Sequence, residues 1–407
     1  MDGREGRRGA GDHRVQRPQG RQSAADYRRD SYAARHRRWP VALAAVLVAA
    51  VVAAAAFIVL KPLATTGTAG TEGGAGDSSA QSPQTQAGTS TAPEGRIVMT
   101  VHGDMETVVR RGEAYVEGGC DARDTQEGDI SGSVQASGAP DTSAPGDYEV
   151  VYTATNAEGM TQTATRKVKV VEDAEWDGDG VSVMMYHYVY PDADPPEKAD
   201  ANLLPASMFE SQLQWLVEED YYYPSYAELS AYIAGAHSLP AKSVILTFDD
   251  GDSTFFDVVR PLAEKYKVPV TGFIIGNRDG IAQTVKDNPS PYVDYESHSY
   301  AMHEDGTQNI GRGGAIYDFS AEDVKADCDK ERTTIGEFEA FAYPYGDVSD
   351  VAPSALAANG VKTAFTIVYG QVHPGDDPMR LKRMRVFGEG SLAGFKYQVE
   401  HGPENQG

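Results

Sequence analysis

Val244-Ile-Leu-Thr-Phe248 is a continuous, mostly apolar run that stops at two adjacent carboxylates and a glycine, Asp249-Asp250-Gly251. A short run of this kind fits a strand buried on both faces, as in parallel α/β sheets. Neighbours within a strand point to opposite faces, so two adjacent aspartates inside it cannot serve one site. At the strand's last residues, with Gly251 free to turn the chain, they can. In barrels and open α/β sheets, chemistry sits at the carboxyl ends of strands. Taken alone, Asp-Asp-Gly reads equally as a helix cap or a turn. The rest of the chain decides.

Strand and helix patterns alternate from residue 181 onward, which implies a parallel α/β architecture. Residues 181–186, 268–275, 292–296, 338–343 and 363–368 read as strands beside the one that ends at Phe248. Ser207-Met-Phe-Glu210 and Ser225-Tyr-Ala-Glu228 have capping-box spacing, and Ser320-Ala-Glu-Asp323 opens a third helix. About seven strands with helices between them predict an incomplete or distorted (β/α) barrel over residues 181–400.

Residues 96–171 have no helical period. Ile97-Val-Met-Thr-Val101, Tyr148-Glu-Val-Val-Tyr-Thr-Ala154 and Thr163-Ala-Thr-Arg-Lys-Val-Lys-Val170 alternate like strands between Gly- and Asp-rich turns. They predict a small all-β sandwich. Residues 172–180 form a polar joint, and residues 61–95 (Gly, Thr, Ser, Ala, Gln, Pro) a flexible linker. Residues 39–60 are apolar apart from Pro40, long enough to span a bilayer. Residues 1–38 are Arg-rich and predicted disordered.

The chain carries a formal charge of −24, with about +7 on residues 1–61 and −31 on the rest. Positive charge ahead of the apolar run keeps that side in the cytoplasm and places the remainder outside. The amino-terminal region is long for a cleaved signal peptide, so an uncleaved anchor in the cytoplasmic membrane is the expectation. An acidic body argues against nucleic-acid binding. Cys120 and Cys328 read as small buried residues, not as a framework or a metal knuckle.

Two further segments carry chemistry. In His298-Ser-Tyr-Ala-Met-His303 the histidines are five residues apart. On a regular helix they would sit about 140° apart, so they converge only from a loop or a distorted turn. With an Asp from another strand end they make a two-His, one-carboxylate set that leaves positions open for water and substrate. These donors suit zinc, with cobalt or iron-group metals as alternatives. Phe341-Ala-Tyr-Pro-Tyr-Gly346 is a strand end followed by a Pro-fixed turn.

Thr247-Phe-Asp-Asp-Gly251, the His298/His303 pair and Phe341 to Gly346, in this order, resemble the motifs of the polysaccharide deacetylase family (carbohydrate esterase family 4, the NodB-homology domain) over about residues 181–390. The longer histidine spacing, Met185-Tyr-His-Tyr188, Met208-Phe-Glu210 and Leu239-Pro240 resemble the branch acting on poly-N-acetylglucosamine. Upstream, Tyr115-Val-Glu-Gly-Gly-Cys-Asp-Ala122, Pro145-Gly-Asp-Tyr-Glu-Val-Val-Tyr152 and Asn156-Ala-Glu-Gly159 resemble bacterial surface immunoglobulin-like repeats, mostly spacers, with Cys120 where that pattern usually has Ala.

The resemblance implies that Asp250, His298 and His303 hold a Zn2+ or Co2+ ion. It makes Asp249 the general base and the Tyr345 backbone N–H an oxyanion donor. The family's late Leu-x-x-His acid is absent in recognisable form. His187 and His373 are the candidates, each also readable as an ordinary strand-end or surface histidine. Arg383 and Arg385 either orient Asp249 or simply pack. The expected activity is removal of N-acetyl groups from an N-acetylated glycan polymer, peptidoglycan or poly-N-acetylglucosamine. An O-acetyl esterase and a catalytically silent wall-binding protein are the alternatives.

Overall fold

The apolar runs after residue 181 become strands because both of their faces are covered. In the computed structural model, which describes residues 90–91, 94–172, 174–176, 178, 180–198 and 200–402, seven strands form one sheet. They are β1 (Ser182–Tyr186), β2 (Val244–Phe248), β3 (Val270–Ile274), β4 (Val293–Ser297), β5 (Ala340–Ala342), β6 (Thr363–Tyr369) and β7 (Leu381–Arg385). Every pairing is parallel, and β7 returns to β1, so the barrel is closed. The expected distorted (β/α) barrel of about seven strands is thus a closed ring of seven. Its closing strand, Leu-Lys-Arg-Met-Arg, has three cations in five residues and lacks the apolar signature of the others.

Alternation sorts the side chains. On β2, Val244, Leu246 and Phe248 pack outward against the helices. Ile245 pairs with Val183 and joins Phe273, Ala340, Ala342, Phe365 and Leu381 in the interior. Asp249 continues the inward face of β2. On β4, Asp294 pairs with Thr271 and Glu296 with Phe273, so Asp294, Glu296 and His298 form one inward stripe from the amino to the carboxyl end.

Helices α1 (Ala206–Glu218), α2 (Tyr226–Ile233), α3 (Arg260–Tyr266), α4 (Ile281–Asp287), α5 (Ala321–Ile335), α6 (Ala352–Ala358) and α7 (Leu392–His401) fill the connections. The capping boxes at Ser225 and Ser320 are formed. The one at Ser207 is not. Helix α1 starts after Pro205, Ser207 Oγ donates to Asp192 at 2.6 Å, and Glu210 accepts from Lys265 and Tyr266.

Residues 97–171 fold as a two-sheet sandwich. Ile97–Val101, Cys120–Asp124 and Gly128–Asp129 form one sheet, and the strands led by Gly146–Thr155 and Met160–Val171 form the other. Met99, Val101, Ala122, Tyr152 and Val168 are among its core. Ser90–Thr91 also pairs with it, inside the segment expected to be linker. Cys120 and Cys328 are buried and free. The expected span at 39–60, the segment 1–38 and most of the linker lie outside the described residues; among the described residues no helix is long and apolar enough to cross a membrane.

The sandwich is docked on the loops that lead into the barrel strands. Thr100 Oγ1 donates to Ser290 O at 2.7 Å, and Asp104 N to Tyr223 O at 2.7 Å. Ser238 donates to both carboxylate oxygens of Glu113, at 2.8 and 2.7 Å. The module therefore occupies the amino-terminal end of the barrel and leaves the carboxyl end open.

Candidate active site

Each of the three motif segments bends sharply where its strand ends. Among the described residues only five non-glycines have positive φ, and three are Asp250 (80°), Ser299 (70°) and Tyr345 (60°), one in each segment. Such conformations cost free energy and persist where the surroundings enforce them, commonly at functional sites. Here the turns bring β2, β4 and β5 to one place at the carboxyl end of the barrel.

Asp250, His298 and His303 converge, with ligand atoms within 4.8 Å of one another. His298 Nε2 is 3.6 Å and His303 Nε2 3.3 Å from Asp250 Oδ1. A tetrahedral ion with bonds near 2.0–2.1 Å sets its ligands about 3.3 Å apart, so the set fits zinc. His298 Nδ1 donates to Ala342 O at 2.7 Å, which fixes the tautomer and leaves Nε2 facing the centre. Asp250 Oδ2 accepts from the Tyr188 hydroxyl at 2.7 Å, so only Oδ1 is turned to the histidines. Burial works against ionisation of Asp250, but His303, His298, His187 and Tyr188 outweigh it and hold the carboxyl far below its usual range. Burial pushes His298 down to about 4 despite the neighbouring carboxylates.

The histidine spacing is resolved by a clasp. Asp327 on α5 accepts from the N–H groups of Tyr300 and Ala301, both at 2.8 Å. Gly276 N donates to Ser299 O and Asn277 N to Tyr300 O, at 3.1 and 3.0 Å. Held from both sides, the chain between the histidines is neither helix nor strand, and His303 turns back toward His298, ring centroids 5.0 Å apart.

Asp249 lies beside this centre, 3 % exposed. Arg383 grips it with two 2.7 Å bonds, Nη1 to Oδ1 and Nη2 to Oδ2, and is itself fully buried. Arg383 also donates to Thr366 O and Thr247 Oγ1, at 3.0 and 3.2 Å. Of the two readings of Arg383, orienting Asp249 is what the geometry shows. Burial raises the Asp249 carboxyl, but the guanidinium prevails and holds it below the ordinary carboxylate range. Arg385 instead donates to Asn202 and lies over Phe387.

Tyr345 sits in the Pro344–Gly346 turn with its ring 4.5 Å from that of His303. No described residue accepts from its backbone N–H. His187 follows β1 at the same end, near enough for the charges of Asp249 and Asp250 to act on it; burial lowers its pKa and the carboxylates oppose the shift. His373 is elsewhere. It follows Val372, which bridges to Val181 ahead of β1, and its ring lies against Gly180. That is the opposite end of the barrel, so His373 is not brought to the site.

No motif announces Asp327, and none gives Tyr188 its role. Tyr188 stands in Met185-Tyr-His-Tyr188, but its bond to Asp250 spans 62 residues of sequence.

Residues 99–170 match the family model described as bacterial surface protein, Ig-like domain, and residues 236–364 the model for polysaccharide deacetylase. A poly-beta-1,6-N-acetyl-D-glucosamine N-deacetylase of Staphylococcus epidermidis is 30% identical over 194 residues, covering 44% of this chain and 66% of the relative. One of the same name from Staphylococcus aureus strain MRSA252 is 28% identical over 198 residues, with the same coverage. The chain thus spans just under two thirds of the length of these relatives. Among solved structures, IcaB from Ammonifex degensii is 26% identical, covering 55% of this chain and 98% of that chain, with a TM-score of 0.45.

Proposed function

We propose, from the premise that this chain belongs to the polysaccharide deacetylase family and carries an Ig-like surface domain ahead of its catalytic one, that it is a metal-dependent hydrolase removing N-acetyl groups from an amino-sugar polysaccharide. The observation that carries this reading is the convergence of Asp250, His298 and His303 beside an Asp249 pinned by Arg383. The printed names of the relatives favour poly-β-1,6-N-acetylglucosamine over peptidoglycan as the polymer.

Asp250, His298 and His303 would hold zinc or cobalt. Such an ion, when bound, acidifies a water and polarises the acetamide carbonyl. Asp249 takes the water's proton. Arg383 keeps that carboxylate ionised and aimed, while each oxygen retains a lone pair for the incoming proton. As the water oxygen bonds to the carbonyl carbon, negative charge grows on the carbonyl oxygen, and the Tyr345 N–H donates to it. His187 delivers a proton to the sugar nitrogen as the C–N bond breaks, and acetate and a free amine leave. Burial lowers the pKa of His187, which makes its proton easier to give up, and the two carboxylates beside it oppose the shift.

We place the enzyme at the outer face of the cytoplasmic membrane. The support is sequence alone: an apolar run at 39–60 behind an Arg-rich segment.

The test is acetate release by the purified chain, chelated and then reloaded with zinc or cobalt. Poly-β-1,6-N-acetylglucosamine oligomers, peptidoglycan and acetyl-xylan are offered side by side. Metal-dependent release from an amino-sugar polymer is expected. Release from acetyl-xylan alone would make it an O-acetyl esterase. A zinc-loaded chain that releases nothing from any of the three would favour the silent wall-binder.

A further inference from the structure

A second group of metal-ligating side chains lies at the other end of the barrel, in the seam with the Ig-like module. His102 follows the module strand Ile97–Val101, Asp121 lies on Cys120–Asp124, and Asp294 is the first inward residue of β4. His102 Nε2 is 3.4 Å from Asp121 Oδ1 and 3.9 Å from Asp294 Oδ1. The three ligand atoms lie within 4.8 Å of one another, as in the catalytic set.

Two observations point to a cation site. Both ring nitrogens of His102 are buried; Nε2 faces the two aspartates, and Nδ1 makes no hydrogen bond to a described residue, whereas buried imidazole nitrogens are usually satisfied. The seam is also crowded with carboxyl groups. Glu339 lies close enough to act on Asp294, and Glu296 is the next inward residue of β4, so four carboxylates share the space with Arg123. Arg123 is partly engaged elsewhere, donating to Ile335 O, and Glu339 is paired with Lys362 on its outer side. Burial and mutual repulsion raise the carboxyls of Asp294, to about 6, and of Glu296, a crowding that a bound cation relieves.

We propose that His102, Asp121 and Asp294 bind one divalent transition-metal ion that staples the Ig-like module to the barrel. One imidazole with two carboxylates suits zinc, manganese or cobalt, whereas calcium and magnesium prefer sets of oxygens alone. Because the ligands come from two domains, the ion binds the docked form and stabilises it by mass action. The competing arrangement is a protonated His102 bridging two aspartates with no metal.

Zinc bound per full chain, measured by elemental analysis after chelation, reloading and dialysis, separates the two. The wild type should hold two ions. The double variant Asp250→Ala, His298→Ala, emptied at the catalytic end, should hold one and gain thermal stability when zinc is added. Adding His102→Gln to it should abolish both the ion and the gain; Asp294→Asn in its place reads the same if that variant fails to fold. A folded Asp250→Ala, His298→Ala chain that holds no zinc would overturn the proposal. So would an ion that survives the loss of His102 or Asp294. Neither readout uses enzymatic activity, so the result stands apart from the deacetylase reading.

Discussion

Asp249 and Asp250 are neighbours in sequence with different partners, and this separates their mutants. Asp250 faces two histidines, so Asp250→Ala should lose the ion bound there. Asp249→Asn leaves those ligands in place and should keep that ion while turnover falls about 10²–10⁴-fold, the usual worth of a general base. Retained turnover would sink the role given to Asp249. The same substitution strands a buried guanidinium, so it should also cost stability, on the order of 3–5 kcal/mol by analogy with other broken buried pairs. A second residue-scale expectation concerns acid. His298 is pushed down to about 4 when folded, against 6.5 as its ordinary value. Between these values the unfolded chain binds a proton that the folded chain refuses, so stability rises with pH across that window and is lost as pH falls through it. The difference corresponds to roughly 3 kcal/mol. Asp249 and Asp250, both held low, add losses in the same direction below the ordinary carboxylate pKa. Melting temperatures of chelated wild type and His298→Gln, measured from pH 7 to pH 4, should diverge, with the wild type falling more steeply. Parallel curves would contradict the assignment.

The histidine segment gains its shape from elements outside it. Asp327 supplies one oxygen to each of two consecutive N–H groups, which only a carboxylate can do. Asp327→Asn keeps the volume and loses one of the two bonds. It should weaken zinc binding at the catalytic set about 10-fold, the low end for outer partners of ligands, and a zinc competition titration reads this directly. Unchanged affinity would reduce Asp327 to a packing residue. This element also marks what sequence could carry. The apolar runs, the box at Ser225, the helix start at Ser320 and the ligand-bearing segments were legible because each is written in contiguous residues. The box at Ser207 misled, because Ser-x-x-Glu spacing does not reveal that Asp192 and Lys265 compete for those side chains. Strand β7 was obscured because it lacks an apolar run: the choice between orienting Asp249 and packing, left open for Arg383 and Arg385, is decided only once β2 is beside β7. Tyr188, Asp327 and the exclusion of His373 depend on which strand end is which, and that is settled only when the barrel closes.

The Ig-like module was expected to be a spacer joined by a polar hinge, yet it shares a seam with the barrel. The joint is itself tied down, with Trp176 bridging to Pro240 and Ala241 N donating to Glu175 O at 2.9 Å. Below it Glu113 receives both donors of Ser238, with buried His237 alongside. A module held by single surface contacts would unfold separately from the barrel, whereas one that shares buried polar groups with it should not. Calorimetry of the full chain should therefore show one cooperative transition for the module and barrel together. Glu113→Ala leaves the Ser238 N–H without its acceptor. Glu113 is partly exposed, so the expected cost is about 1 kcal/mol, a fall in melting temperature of about 2 °C. That shift should apply to the whole transition. Turnover per folded molecule should be unchanged, because Glu113 acts at the end of the barrel opposite Asp249. Two resolved transitions, with only the smaller moved by Glu113→Ala, would return the module to the role of an independent spacer. A single transition moved as a whole would make it the floor on which the catalytic barrel is built.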